Sequence, residues 1–449
     1  MIILLTLNKK ISNNNKELNN SNCHVNNNFT NPNIHIKNNI MNNKEFSNNS
    51  YKNNIKNDGL ENINLCSQKK QEKKNNNENS KNLNQKDSSE NVTLTKILSS
   101  PNISARKEIL IKKKCANGLQ NIGANCFMNA TLQCLAHVEY LTKHILQRKY
   151  EINSKKTSNK LVKSYLEFLE NIWENTSIKD YVPNNFKEII NEMNPLFKGK
   201  QYIYSKDFIL FLLENIHNEL NKIKEVKQIN TANVDPYNFY NSLNNFTRYF
   251  KNNFKSIISD IFYGIYNTQM KCLDCNTVTH NIQYYNILII PLEEVRLFKK
   301  RLQNIVTLQE CFEFNQKSEY INGESKIYCN KCQEKTNCVK NKTLIVGPKV
   351  LIINLNRGKG IKFEVKLNFE EFIDINQFIY FKNTSCRYQL IGVVTQFGPS
   401  GIYEHFIAFC KSFIDGNWYR YNDSIVTSSN FQEAKTTGVP YILFYSAIN

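Results

Sequence analysis

The sequence predicts an α+β fold in which helices come first and strands follow. Three observations carry that expectation. Leu161, Val162, Tyr165, Leu166, Phe168, Leu169, Ile172 and Trp173 recur at helical spacing, which predicts a helix over 159–175. Ser205 is a good N-cap with Asp207 in the turn after it, and Phe208, Ile209, Phe211, Leu212, Ile216 and Leu220 give that second helix a buried face. Strand-like apolar runs then occupy 261–270, 278–292, 326–329, 350–356, 387–396, 405–413, 417–421 and 440–445. No internal repeat is visible.

Composition divides the 449 residues unevenly. Residues 1 to about 105 are rich in Asn, with Lys and Ser between the tracts and only isolated apolar residues. Such a segment buries too little surface to offset its ordering entropy, so 1–105 is read as a disordered extension and 115–449 as one globular domain. Met1 to Leu7 is apolar but short, with no basic residue before it, which argues against a signal peptide. No stretch reaches the roughly 18 apolar residues that span a bilayer. Thirteen Cys, an odd number that includes two CxxC pairs, fit metal binding and catalysis in a reducing compartment, cytoplasmic or nuclear, rather than a disulfide framework. The net charge of +19 is spread along the chain, and the cluster Lys69-Lys70 with Lys73-Lys74 reads as a solvated tail.

Cys126 is the first candidate for chemistry. Gly118, Asn121, Gly123 and Asn125 precede it, and Phe127, Met128, Leu132, Leu135 and Ala136 follow at helical spacing. A flexible turn that delivers a thiol to a helix N-terminus favours the thiolate, through unpaired N–H groups and the positive end of the helix dipole. A thiol nucleophile needs a base and a group to orient that base. Of seven His, only His405 lies in the carboxy-terminal strands, where a Gly-containing loop enters an alternating strand. Asn422 and Asp423 end a later strand, and alternation lets only one of them point the way His405 does. Either could accept the imidazole Nδ1–H, and an Asx turn closing a hairpin is an equally ordinary use of the pair.

Cys272, Cys275, Cys329 and Cys332 form the two CxxC pairs. Two such knuckles complete a tetrahedral sulfur set that suits Zn²⁺, provided a β-ribbon brings them together, and four thiolates leave no open position, so the site is structural. Cys338 reads as a spare and His280 as a weaker competing ligand.

The run GLQNIGANCFMNATLQCL, from Gly118 to Leu135, resembles the cysteine box of the ubiquitin-specific proteases, with Phe127 in place of the usual Tyr and Asn125 in place of Thr. Tyr388 to Val394, Glu404-His405-Phe406, Trp418 to Val426 and Tyr441 to Tyr445 resemble that family's histidine box. Ile261 to Gly264, Pro348 to Arg357 and Tyr204 to Leu213 add further likeness, so it spans about 115–446. The resemblance implies a papain-like cysteine protease with thumb, palm and zinc-bearing fingers. It implies that Cys126 is the nucleophile, His405 the base, Asn422 its orienting partner and Asn121 an oxyanion donor, with Asp423 supporting the oxyanion or the triad. The implied reaction is hydrolysis of the bond at the C-terminal glycine of ubiquitin through a thioester, with ubiquitin or ubiquitinated proteins as partners and neither membrane nor specific nucleic acid.

This chain departs from the family pattern at Glu404 (for Gly before the base), Gln396 (for His in the preceding turn), Leu210 (for the Glu that meets ubiquitin's basic tail) and Gly358 (for Phe after Arg357). A side chain at 404 narrows the channel to the thiol, or its charge raises the pKa of His405. Two alternatives stand beside the hydrolase: a ubiquitin-binding module whose channel is spoiled, and a zinc-bearing nucleic-acid binder suggested by the charge.

Overall fold

The computed structural model describes residues 111, 113–123, 125–154, 159–198, 205–225, 235–357, 365–381, 386–397 and 405–448. The expected extension over 1–105 lies outside the described residues, as do Glu404 and Gly358. Among the described residues, no helix is long and apolar enough to cross a membrane.

Helices dominate the described residues up to 225. Strand β1 (Gly118–Leu119) pairs in parallel with β2 (Asp180–Tyr181). The longer helices are α1 (Cys126–Ala136), α2 (Glu139–Gln147), α3 (Lys160–Leu169), α4 (Asn184–Met193) and α5 (Ser205–Leu220). The predicted 159–175 helix is present, but its last turn, Glu170–Glu174, widens to π geometry while Ile172 and Trp173 stay buried. The helix expected from Ser205 begins at that residue.

A larger sheet forms the second half of the same core. Its strands are β3 (Leu288–Pro291), β4 (Val350–Asn356), β5 (Arg387–Phe397), β6 (His405–Lys411), β7 (Trp418–Asn422), β8 (Ile425–Ser429) and β9 (Val439–Ala447). They lie in the order β8-β7-β6-β5-β9-β4-β3, antiparallel except for the parallel β4–β3 pair. Val350, Ile352, Phe406, Ala408, Ile442 and Phe444 point into one core shared with the helices. Leu351, Ile353, Ile407, Phe409, Leu443 and Tyr445 point into a second core on the opposite face. Burial on both faces explains why these strands read as continuous apolar runs.

A separate four-stranded antiparallel sheet joins Val278–Tyr285, Gly264–Cys272, Cys338–Val346 and Glu319–Ile321 in that order. Helix α6 (Phe239–Asn253) covers one side of it, with Leu243 and Phe246 against Ile265, Ile282, Ile345 and Phe381. The architecture is α+β, with a helical thumb, a central palm sheet and a projecting ribbon of fingers.

Two expected strands are corrected. Ile261 and Phe262 close a short helix, α7 (Ile257–Phe262), which Ser256 and Ser259 cap reciprocally, and the strand starts only at Gly264. The run over 278–292 breaks after Tyr285, because Val278–Tyr285 belongs to the fingers and β3 to the palm. Gln396 lies within β5 opposite Phe406, buried, and not in a turn.

Candidate active site

Cys126 is the first residue of α1 and is buried at the helix N-terminus. The turn before it is shaped by Asn121, whose Oδ1 accepts from the backbone N–H of Gly123 at 3.1 Å and of Asn125 at 3.4 Å. Gly123 has φ of 110°, a conformation that favours glycine. Asn125 occupies the N-cap position, yet its side chain makes no capping bond to α1. Lys187, on α4, meets its Oδ1 at 3.2 Å.

His405 opens β6 and hydrogen-bonds with Cys126. Ala408 pairs with Tyr421 across β6 and β7, so Asn422 lies on the same pleat face as Ile407 and His405. His405 Nε2 donates to Asn422 Oδ1 at 2.6 Å. The expectation of an Nδ1 contact is corrected: the far nitrogen spans the diagonal between strands, and the near one is left for the thiol. The hydrogen bond with Cys126 raises His405 to about 9; burial opposes the rise, and the Asn422 bond and the charges of Cys126 and Asp423 support it.

His137, His217 and His280 are engaged elsewhere. His137 is buried, with Nδ1 at 2.7 Å from Gln133 O and Nε2 at 3.1 Å from Tyr421 OH, and burial lowers it to about 4. His217 meets Ser256 Oγ at 2.7 Å and is likewise lowered by burial to about 4. His280 pairs with the Asn267 amide, outside the sulfur cluster.

Asp423 leaves β7 with φ of 50° and turns back toward Asn121 and Asn129, which flank Cys126. Its Oδ2 accepts from Asn121 Nδ2 at 3.0 Å and its Oδ1 from Asn129 Nδ2 at 2.8 Å. Leu119 N–H donates to Asp423 O at 2.9 Å. A Cβ on Gly118 would come within 2.3 Å of Ser424 O, so β1 and this turn are pressed together as only a glycine permits. The structure therefore brings Asn121, Cys126, His405, Asn422 and Asp423 into one locality. Sequence reasoning missed Asn129 and Lys187; Asn129 stands within the cysteine box, whereas Lys187 carries no local signal.

Leu210, where the family pattern has an acid, packs against the thumb core. Asp207 is partly exposed and meets Lys206 Nζ at 3.6 Å.

At the fingertip, Cys272, Cys275, Cys329 and Cys332 bring their sulfurs within 4.8 Å of one another, the one such cluster among the described residues. Cys272 and Cys332 sulfurs are 3.8 Å apart, and those of Cys275 and Cys329 are 3.7 Å apart. A tetrahedron with metal–sulfur bonds of about 2.3 Å has edges of roughly 3.8 Å, so the set fits a single ion. Asn276 (φ 57°) and Gln333 (φ 61°) follow the second Cys of each pair and turn the knuckles. Cys338 lies opposite Cys272 in register, outside the set.

Residues 117–445 match the family model described as ubiquitin carboxyl-terminal hydrolase. Among curated relatives, ubiquitin carboxyl-terminal hydrolase 2 of Rattus norvegicus is 28% identical over 338 residues, covering 73% of this chain and 53% of its own. Ubiquitin carboxyl-terminal hydrolase 21 of Homo sapiens is 27% identical over 353 residues, with 73% and 61% covered. The chain thus spans about half the length of hydrolase 2. Of solved structures, a chain of the SAGA DUB module of Ubp8, Sgf11, Sus1 and Sgf73 bound to monoubiquitin superposes with a TM-score of 0.59 at 19% identity, covering 81% of this chain and 76% of that one. The same module bound to ubiquitin aldehyde gives 0.56 at 19% identity, covering 83% and 77%. With a matching model across residues 117–445 and a thiol, an imidazole and an amide converging within that match, this chain belongs to the ubiquitin carboxyl-terminal hydrolase family.

Proposed function

We propose that the protein is a cysteine-type deubiquitinase that hydrolyses the isopeptide or peptide bond at the C-terminal glycine of ubiquitin. The observation that carries this reading is the Cys126–His405–Asn422 relay, within a chain of that family. The names of its relatives and the ubiquitin held by its structural neighbours support the choice of substrate.

His405 Nδ1 holds the proton given up by Cys126, and the thiolate attacks the glycine carbonyl carbon. Negative charge moves to the carbonyl oxygen, where Asn121 Nδ2 and N–H groups at the start of α1 receive it. The intermediate collapses, His405 protonates the departing amine, and a thioester to Cys126 remains. Water, deprotonated by His405, attacks that thioester and releases the ubiquitin carboxylate and the thiol. Asn422 keeps Nε2–H engaged so that Nδ1 faces the sulfur throughout. Asp423 holds Asn121 from behind. The fingertip thiols would hold Zn²⁺ with no open position, which makes it structural.

Hydrolysis of ubiquitin bearing a C-terminal fluorogenic amide tests this reading. Wild type turns over; Cys126→Ala and His405→Ala do not. Ubiquitin binding by wild type without any turnover would favour a non-catalytic module instead.

A further inference from the structure

Lys187 stands on α4, outside every motif of the chain, yet its ammonium reaches the turn that precedes the nucleophile. Nζ donates to Ile122 O at 2.9 Å, to Asn125 Oδ1 at 3.2 Å and to Gly123 O at 3.3 Å. These acceptors bracket the left-handed Gly123, the point at which the turn is easiest to deform. Charge-assisted bonds to two consecutive carbonyls resist that deformation more strongly than neutral ones do.

The third contact has a separate consequence. Asn at an N-cap ordinarily accepts from the N–H of the second or third helical residue. Asn125 does not, because its oxygen faces the ammonium, and its buried Nδ2 has no protein partner to pull the amide round. The first-turn N–H groups of α1 beside Cys126 are therefore not taken by this side chain.

We propose that Lys187 is a positioning residue for the oxyanion turn: it pins the carbonyls of Ile122 and Gly123 and draws the Asn125 side chain away from the N-terminus of α1. Asn121 and the helix N–H groups are thereby held ready for the developing oxyanion. This rests on the hydrolase reading above. Lys187 touches neither Cys126 nor the substrate carbonyl in this account; it acts through the turn.

The test measures hydrolysis of the fluorogenic ubiquitin amide by wild type, Lys187→Met and Lys187→Arg, alongside the rate at which iodoacetamide alkylates Cys126 in each. Alkylation needs the thiolate but forms no oxyanion. For Lys187→Met, kcat should fall about 10- to 100-fold while KM moves by less than about threefold. The alkylation rate should stay within about twofold of wild type, since the Cys126–His405 pair is untouched. Lys187→Arg, which keeps a cation at that reach, should recover most of kcat. If the Met variant does not fold, Lys187→Gln takes its place. Unchanged kcat in an active enzyme would overturn the inference alone, and so would equal losses of turnover and alkylation. An inactive wild type whose Cys126 still alkylates would overturn the hydrolase reading, and this inference with it.

Discussion

Asn121 Nδ2 and Asp423 Oδ2 lie 3.0 Å apart, joining two residues 302 positions distant in the chain. The carboxylate is shared with Asn129 Nδ2 at 2.8 Å, so one acid ties the turn at Asn121, helix α1 and the end of β7 together. Asp423→Ala releases Asn121 while leaving the Cys126–His405 contact intact. We expect kcat to fall about 100-fold with little change in KM, as for loss of an oxyanion donor. Steady-state kinetics of Asp423→Ala beside Asn121→Ala check this; the double variant should be little worse than either single one.

The raised imidazole sets a pH signature. His405 titrates near 9, held up first by Cys126 and then by Asn422. It therefore stays protonated, and able to donate to the leaving amine, until pH rises through that value, and kcat/KM should decline there. Asn422→Ala removes one group that raises the imidazole, so the alkaline limb should move to lower pH. A limb that stays in place in that variant contradicts the assigned role of Asn422.

Metal analysis tests the fingertip. Purified protein should carry about one zinc per chain, bound by Cys272, Cys275, Cys329 and Cys332. Cys329→Ser should lose it and unfold at lower temperature, since metal binding contributes directly to folding. Cys338→Ser should keep the metal, because that sulfur lies outside the set.

Gly118→Ala tests the seam between β1 and the Asp423 turn. The added methyl would meet the Ser424 carbonyl carbon at 2.6 Å and its oxygen at 2.3 Å, contacts with backbone that cannot rotate away. A loss of about 1–3 kcal/mol is expected, read as a lower denaturant midpoint.

The elements that were legible in the sequence are those with strong local signals. Ser205 marks the start of α5, but as its first helical residue and not as a cap, since its buried Oγ has no hydrogen-bond partner; β4 and β9 stand out as apolar runs because both of their faces are buried. Alternation along β7 leaves Asn422 and Asp423 equal; the family resemblance points to Asn422, and the register with β6 puts that residue on the His405 face. Helix α6 escaped notice among Asn and Lys residues, although Phe239, Leu243, Phe246 and Phe250 carry a helical period. Helix α7 reads as strand because Ile and Phe suit both, and the Ser256–Ser259 capping box is the local cue for a helix. Lys187 could not have been found, since contacts made across a fold leave no pattern in the residues beside them.

In the proposed function, Cys126 is a thiol poised to attack the C-terminus of ubiquitin. Ubiquitin carrying a thiol-reactive group at that end, incubated with the full chain and mapped by peptide mass spectrometry, tests it most directly. The account predicts one ubiquitin per chain, attached at Cys126 and absent from Cys126→Ala. A folded wild-type protein that forms no adduct, or that forms it at another cysteine, would contradict it.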